Sequence, residues 1–227
     1  MKKILVILLL ICSTFGFAQV HNYNKVNFGV RAGMTITNVR SYGYACDFNK
    51  NIGPNVGLYV NVPLRNNFFI ETGMYYDQKS FKDTYTDERL VDNLGICTYK
   101  SYETIRAGYF QIPILFGYRQ YIKDNISLDI ETGPYIAVGI AGKISTTEHL
   151  VWRQYGTIHT YTNKEKDYVF NNVLKVPDCG WQIGAGISID RFRIGYNANI
   201  GFVDATYDDY DNSINYITHT ISLGVAF

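Results

Sequence analysis

Apolar and polar residues alternate with a period of two along most of this chain, and the pattern recurs in eight segments. Over 192–202, Phe192, Ile194, Tyr196, Ala198, Ile200 and Phe202 form one set, and Arg193, Gly195, Asn197, Asn199 and Gly201 the other. A pleated strand sends two such sets to opposite faces. At the C-terminal end Ile217, His219, Ile221, Leu223, Val225 and Phe227 alternate with Thr218, Thr220, Ser222, Gly224 and Ala226. The same rhythm runs through 28–36, 56–62, 68–76, 110–118, 128–138 and 181–189. Eight antiparallel strands are therefore expected. Pro113 and Pro134 fall inside two of them, and the missing N–H predicts a local bulge at each.

Alternation alone does not say which face meets solvent. The apolar sets hold roughly five side chains per strand, about forty in all, whereas an eight-stranded barrel has an interior only just wide enough for side chains. Forty bulky groups overfill it. The opposite sets are rich in Gly with occasional Arg, Glu, Asp and Tyr, which suits a narrow lumen, so the apolar faces point outward. Connection lengths agree. The gaps after the first, third, fifth and seventh segments are long, roughly 14 to 42 residues, as in outer-membrane barrels. The others are short turns at Arg65-Asn66-Asn67, Lys123-Asp124-Asn125 and Asp190-Arg191. Short turns mark the periplasmic end and long loops the outside.

The N-terminus carries an address. Met1-Lys2-Lys3 is followed by the apolar run Ile4 to Ile11, and Gly16 and Ala18 fit a small-residue cleavage site before Gln19. Residues 1–18 read as a signal peptide and 19–227 as the barrel domain. Cys12 raises a lipoprotein alternative, but Ile11 stands where a small residue is expected. After Ile11 no apolar stretch is long enough for a membrane helix. Composition sharpens the picture. A chain that is 47% hydrophobic has a mean hydropathy of only −0.09, as interleaving requires. A net charge of +1 gives no basic footprint for nucleic acid. Cys46, Cys97 and Cys179 remain after cleavage, and a Cys46–Cys97 bridge and three isolated loop cysteines fit the odd count equally well. No Cys-x-x-Cys pair is present, so neither a metal nor a cofactor is expected.

Several pieces resemble, in order and spacing, the small PorT-like outer-membrane β-barrel proteins of Bacteroidetes. They are Phe28-Gly29-Val30-Arg31-Ala32-Gly33-Met34, Asn67 to Tyr76, Tyr109-Phe110-Gln111-Ile112-Pro113-Ile114 and Glu131-Thr132-Gly133-Pro134-Tyr135. Gly184-Ala185-Gly186, Arg193-Ile194-Gly195-Tyr196-Asn197 and the terminal Leu223-Gly224-Val225-Ala226-Phe227 complete the set. The resemblance implies export and an outer-membrane location, but no single activity; a link to type IX secretion belongs to the founding member and is not carried over. Phe227, with Ile221, Leu223 and Val225 at two-residue steps before it, looks like the signal that the barrel assembly machinery reads by strand addition.

The inward-facing charges are Arg31, Glu71, Asp77, Lys79, Arg119, Asp129, Glu131 and Arg193, four bases against four acids. In a narrow lumen they must pair or carry water, so a structural plug of ion pairs is expected, with a narrow channel as the alternative. Asp129 and Glu131 are expected to face arginines. His149 and His159 fall in a long loop with no partner at catalytic spacing, and His219 faces lipid, so no enzyme is read. The Gly184-Ala185-Gly186 run opens no helix and holds no phosphate, and Asp208-Asp209-Tyr210-Asp211-Asn212 lacks the Gly and Glu of a calcium loop. Recognition falls to the outer loops, which carry Tyr42, Tyr44, Tyr85, Tyr99, Tyr102, Tyr155, Tyr161, Tyr168, Tyr207 and Tyr210. Tyrosine gives amphipathic contact area at low entropic cost, against an aromatic belt at the membrane interface. The expected partners are lipid, the assembly machinery, and an envelope protein or glycan. A soluble exported barrel holding a small apolar ligand is the runner-up.

Overall fold

A computed structural model of the chain describes residues 25–42, 49–91, 95–154, 157–170, 173–206 and 213–227. The described residues form β1 (Asn27–Tyr42), β2 (Asn49–Pro63), β3 (Phe68–Val91), β4 (Gly95–Lys123), β5 (Ile126–Gln154), β6 (Thr157–Tyr168), β7 (Pro177–Ile189), β8 (Phe192–Gly201) and β9 (Ser213–Ala226). Eight of these close a ring in the order β1-β2-β3-β4-β5-β7-β8-β9, with β9 back against β1. Every pairing in the ring is antiparallel. The all-β, eight-stranded barrel expected from the alternation is the fold.

The alternation sorts as the volume argument requires. Met34, Leu58, Ile130, Ile194 and Leu223 are exposed on the outer wall, while Arg31, Glu71, Arg119, Asp129 and Arg193 are buried inside it. Lipid covers the outer set; the short-turn end carries the 3-10 turn Arg65–Asn67 and the Asp190-Arg191 hairpin. Positive φ at Asn66, Asn67 and Asp190 shows why side chains tolerant of the left-handed region stand there. Two inward glycines make room for large neighbours: a Cβ on Gly29 would collide with the Tyr59 ring, and one on Gly117 with the Phe69 ring.

Three expectations change. First, neither proline makes a bulge. Pro113 pairs with Tyr135 and Phe116 with Thr132 in one unshifted register, so the ladder skips its bonds near Pro113 and Pro134 without gaining a residue. The Thr72 hydroxyl donates to the Pro113 carbonyl at 2.7 Å, and Pro134 holds its place opposite Trp181 on the β7 side. The register shifts between β4 and β5 lie instead between Gly108 and Tyr109 and between Tyr121 and Lys123.

Second, the segments after the third and fifth strands are not loops. β3, β4 and β5 run on past the ring, and β6 adds to β5 alone, making a four-stranded blade in the order β3-β4-β5-β6. Its strands are rich in Thr and Tyr, which favour extended backbone, but polar on both faces, so apolar alternation does not reveal them. Third, Cys97 and Cys179 sit in β4 and β7 and are free thiols. Residues 1–18, expected as a signal peptide, together with Cys46 and the 208–212 run, lie outside the described residues.

Candidate functional site: a filled lumen beneath a two-faced blade

The lumen is filled in layers. Near the short-turn end, Arg119 Nε meets Asp129 Oδ1 at 2.7 Å, and the Ser188 hydroxyl donates to Asp129 Oδ2 at 3.1 Å. Above it Arg193 reaches three carboxylates: Glu131 at 2.9 Å, Glu71 at 3.0 Å and Asp129 at 3.6 Å. Arg31 completes the layer on the other oxygen of Glu71 at 2.7 Å. Arg119 and Arg193 share Asp129, so inward positions of β1, β3, β4, β5 and β8 join in one ion-pair network. A band of neutral groups follows. The Gln111 side chain donates to Gln182 at 3.1 Å and accepts from Asn199 at 3.2 Å, and Asp77 accepts from Thr35 at 2.5 Å and Asn55 at 3.0 Å.

At the outer mouth Lys79 bridges to Asp178, fully buried. The Lys79 ammonium also lies 4.7 Å from the ring centre of Tyr109, 4.8 Å from Tyr216 and 5.5 Å from Tyr135. Cation–π attraction of this kind strengthens when water is excluded. Over this cage closes an apolar lid of Phe81, Ile105, Ala137, Val169, Leu174 and Ile214. Leu174, from the connection between β6 and β7, is pinned by a bridge to Thr206. Among the described residues the two polar voids beside the layers measure about 10 Å³ each. A void of that size holds about one water.

All eight sequence-selected charges therefore point into the lumen, as their parity dictates. Asp178 joins them, making five carboxylates against four bases, and Asp77 is held by neutral donors rather than a cation. Asp178 was missed because the apolar alternation of β7 begins only at Trp181, yet it shares the even parity of Gln182 and so was legible in principle.

The blade is the second assembly. Strand register places directly opposed residues on one face. One face continues the lumen-facing set and carries Asp83, Asp87, Glu103, Glu148, Glu165 and Asp167. With them stand Tyr85 and Tyr99, whose rings meet edge-on at 6.4 Å, and Trp152 stacked on His159 at 5.2 Å. Tyr99 donates to Glu148 at 2.7 Å, and Tyr161 stands 58% exposed opposite Leu150. Burial first, then the Asp83 and Glu148 carboxylates, push the Glu103 carboxyl above its ordinary range. The other face continues the outer wall and carries Lys82, Lys100, Arg106, Lys143, Lys164 and Lys166, with Tyr102, Tyr168 and His149.

The ten tyrosines selected as a loop surface thus divide. Tyr85, Tyr99 and Tyr161 share the acidic face, Tyr102 and Tyr168 the basic one, and all five are strand residues rather than loop residues. Tyr42 ends β1, and Tyr44, Tyr155, Tyr207 and Tyr210 lie outside the described residues. His149 bonds the Thr162 hydroxyl at 3.0 Å, and His159 stacks on Trp152 on the opposite face, so the blade keeps them apart. His219 meets the Tyr196 hydroxyl at 2.7 Å on the lipid side. Ile221 and Leu223 are exposed to lipid on β9, and the Phe227 N–H donates to the Phe28 carbonyl at 2.7 Å, closing the ring.

Comparison with known proteins supplies the context. Three solved structures are similar to the chain. The outer membrane protein OprG from Pseudomonas aeruginosa is 8% identical, covering 92% of this chain and 99% of that one, with a TM-score of 0.49. The attachment invasion locus protein Ail of Yersinia pestis is 15% identical, covering 89% and 99%, with a TM-score of 0.36. Neisserial surface protein A is 10% identical, covering 88% and 97%, with a TM-score of 0.35. No curated protein sequence matches. The family model described as "Outer membrane protein beta-barrel domain" matches residues 17–208, so the chain belongs to that family of barrels and resides in the outer membrane.

Proposed function

We propose that this protein is a non-enzymatic surface component of the outer membrane that recognises an envelope protein or glycan through the acidic, aromatic face of its blade. One observation carries the reading. Among the described residues the lumen is packed with buried charges around two polar voids of about 10 Å³ each, which favours a plug over a ligand cavity or an ion path, whereas the blade presents a large built surface. On that surface Tyr85, Tyr99, Trp152 and Tyr161 supply amphipathic contact area, of the kind binding surfaces favour. The surrounding carboxylates select a partner with cationic groups. On the same reading residues 1–18 are removed on export, and Ile221, Leu223, Val225 and Phe227 form the strand signal for the assembly machinery.

The test is a photo-crosslinking amino acid placed at Tyr161, on the acidic face, and separately at Tyr168, on the basic face, in intact cells. Adducts of defined mass from position 161 are expected. Adducts from 168 with none from 161 would move recognition to the other face and sink the proposal.

A further inference from the structure

The basic face of the blade begins where the apolar wall ends. On β4 the outward side chains run Tyr118, Phe116, Ile114, Ile112, Phe110, then Gly108 and Arg106. Counted from Tyr118 at the short-turn end, Phe110 stands roughly 20 Å up the barrel axis and Arg106 roughly 30 Å, at ~3.3 Å per residue and a tilt near 40°. The apolar band of such barrels is about 25 Å tall. Arg106 therefore sits at the headgroup level of the outer leaflet.

It does not sit there alone. Arg106 is directly opposite Lys143 across β4 and β5. Two residues further up, in the next row of the same face, Lys82 stands opposite Thr104, and Lys166 opposite Ser145. All four basic side chains are exposed. Their row-mates are Ser80, Thr104, Ser145 and Tyr168, so among the described residues these two rows hold no carboxylate. Like charges directly opposed across a strand pair are destabilising. Among the described residues no carboxylate of these rows offsets the Arg106–Lys143 pair, and the Ser80 hydroxyl beside it is buried and spent on the Ile105 carbonyl at 3.1 Å, so the counter-charge must come from outside the chain.

We infer that Lys82, Arg106, Lys143 and Lys166 form a binding site for the phosphate groups of an outer-leaflet glycolipid. The occupant follows from place and charge together. The belt lies immediately above side chains that lipid tails cover, on the wall side of the blade rather than over the barrel mouth. A ligand anchored in the leaflet meets it without leaving the membrane. The site uses none of the residues of the acidic face and goes beyond the recognition proposed for it.

Refolded full-length protein in detergent micelles would be titrated with fluorescent bis-phosphorylated lipid A, and in parallel with the same lipid after enzymatic dephosphorylation. Tight, salt-sensitive binding of the phosphorylated lipid only is expected. The fourfold variant Lys82→Gln, Arg106→Gln, Lys143→Gln, Lys166→Gln should lose roughly 1,000-fold in affinity, given the contribution of each basic residue near an anionic surface. The acidic-face variant Asp83→Asn, Glu148→Gln should bind as the unaltered protein does. Heat-shifted gel migration reports that each variant is folded, and the salt dependence of the unaltered protein needs no variant at all. Equal binding of both lipid forms, or unchanged affinity in the fourfold variant, would overturn the site. Capture of soluble dextran sulfate without any binding of lipid A would overturn the membrane-bound occupant as well.

Discussion

Arg193 is the residue on which the lumen network turns, and replacing it by Met gives the sharpest test of how the barrel is held. It contacts Glu131 at 2.9 Å, Glu71 at 3.0 Å and Asp129 at 3.6 Å, with its side chain 6% exposed. Two of these carboxylates keep another base after the change: Glu71 retains Arg31 at 2.7 Å and Asp129 retains Arg119 at 2.7 Å. Glu131 does not, and at 2% exposure it becomes a buried, uncompensated charge. Breaking a buried pair in this way costs about 3–5 kcal/mol. Glu131→Gln alone leaves Arg193 two carboxylates and should cost about 1–2 kcal/mol, the scale of one lost charged hydrogen bond. The double variant removes the orphaned charge and should cost less than Arg193→Met alone, giving a coupling energy of about 2 kcal/mol. Urea titration of the barrel refolded into phosphatidylcholine vesicles, followed by Trp181 fluorescence in a Trp152→Phe background, measures all three. A strictly additive cycle, or an Arg193→Met cost under about 1 kcal/mol, would refute the network as a stabilising unit.

Other measurements address the remaining parts. Planar-bilayer recordings should show no discrete conductance, since lid and ion pairs fill the bore; a steady unitary current would count against the plug. Relieving the self-repulsion of the acidic face should strengthen the blade. Because the folded Glu103 carboxyl lies above its ordinary range, with burial and Asp83 as causes, its destabilising effect is present above that raised value. It vanishes as pH falls below the ordinary value of about 4.3. Glu103→Gln should therefore slow amide exchange along β4 near neutral pH and have no effect in acid; the group is about half exposed, so the gain is a few tenths of a kcal/mol. Deleting Phe227 should lower the yield of assembled protein in the outer membrane while leaving in vitro refolding intact, and normal yield would remove the assembly role.

How much of this was legible depended on what each face touches. The ring strands declared themselves because one face meets lipid, so Phe192, Ile194 and Tyr196 contrast with Arg193, Gly195 and Asn197 at every step. The volume of those faces then fixed inside from outside, and parity alone selected the eight lumenal charges. The blade was invisible to the same reasoning because water bathes both its faces and no hydropathy contrast survives. Yet β6 contains Lys164-Glu165-Lys166-Asp167, in which the sign of charge alternates with the strand period. Read for sign rather than hydropathy, that run announces a strand with one basic and one acidic face. The prolines misled for a different reason: a missing N–H forces a skipped bond, and the ring absorbs that without an inserted residue. Asp178 escaped because β7 was begun at its first apolar residue, three positions too late to include it.

The division of charge within the blade also explains why so polar a sheet stands above the membrane. A sheet wet on both faces gains little from apolar burial, and four strands with like charges along each side repel themselves: Arg106 opposes Lys143 on one face, and Asp83 opposes Glu103 on the other. A merely solvated surface would intersperse the signs, which removes the repulsion at no cost to solubility. Segregation in the blade rows nearest the barrel instead leaves each face short of counter-charge there, although the strand positions of Glu88 and Arg89 mix the signs further out, and opposite ligands supply it. On the proposed reading the basic face takes its anions from the leaflet it rises through, fixing the blade against the membrane. The acidic, aromatic face is then held outward over the sealed mouth, at the height where a cationic partner can reach it. The two sites should be coupled through the sheet they share: neutralising the basic belt by lipid should order the strands and raise partner affinity. Loss of the Tyr161 crosslink in the fourfold basic variant, with Glu148 and the aromatic pairs untouched, is the outcome this coupling requires; an undiminished crosslink would leave the two faces independent.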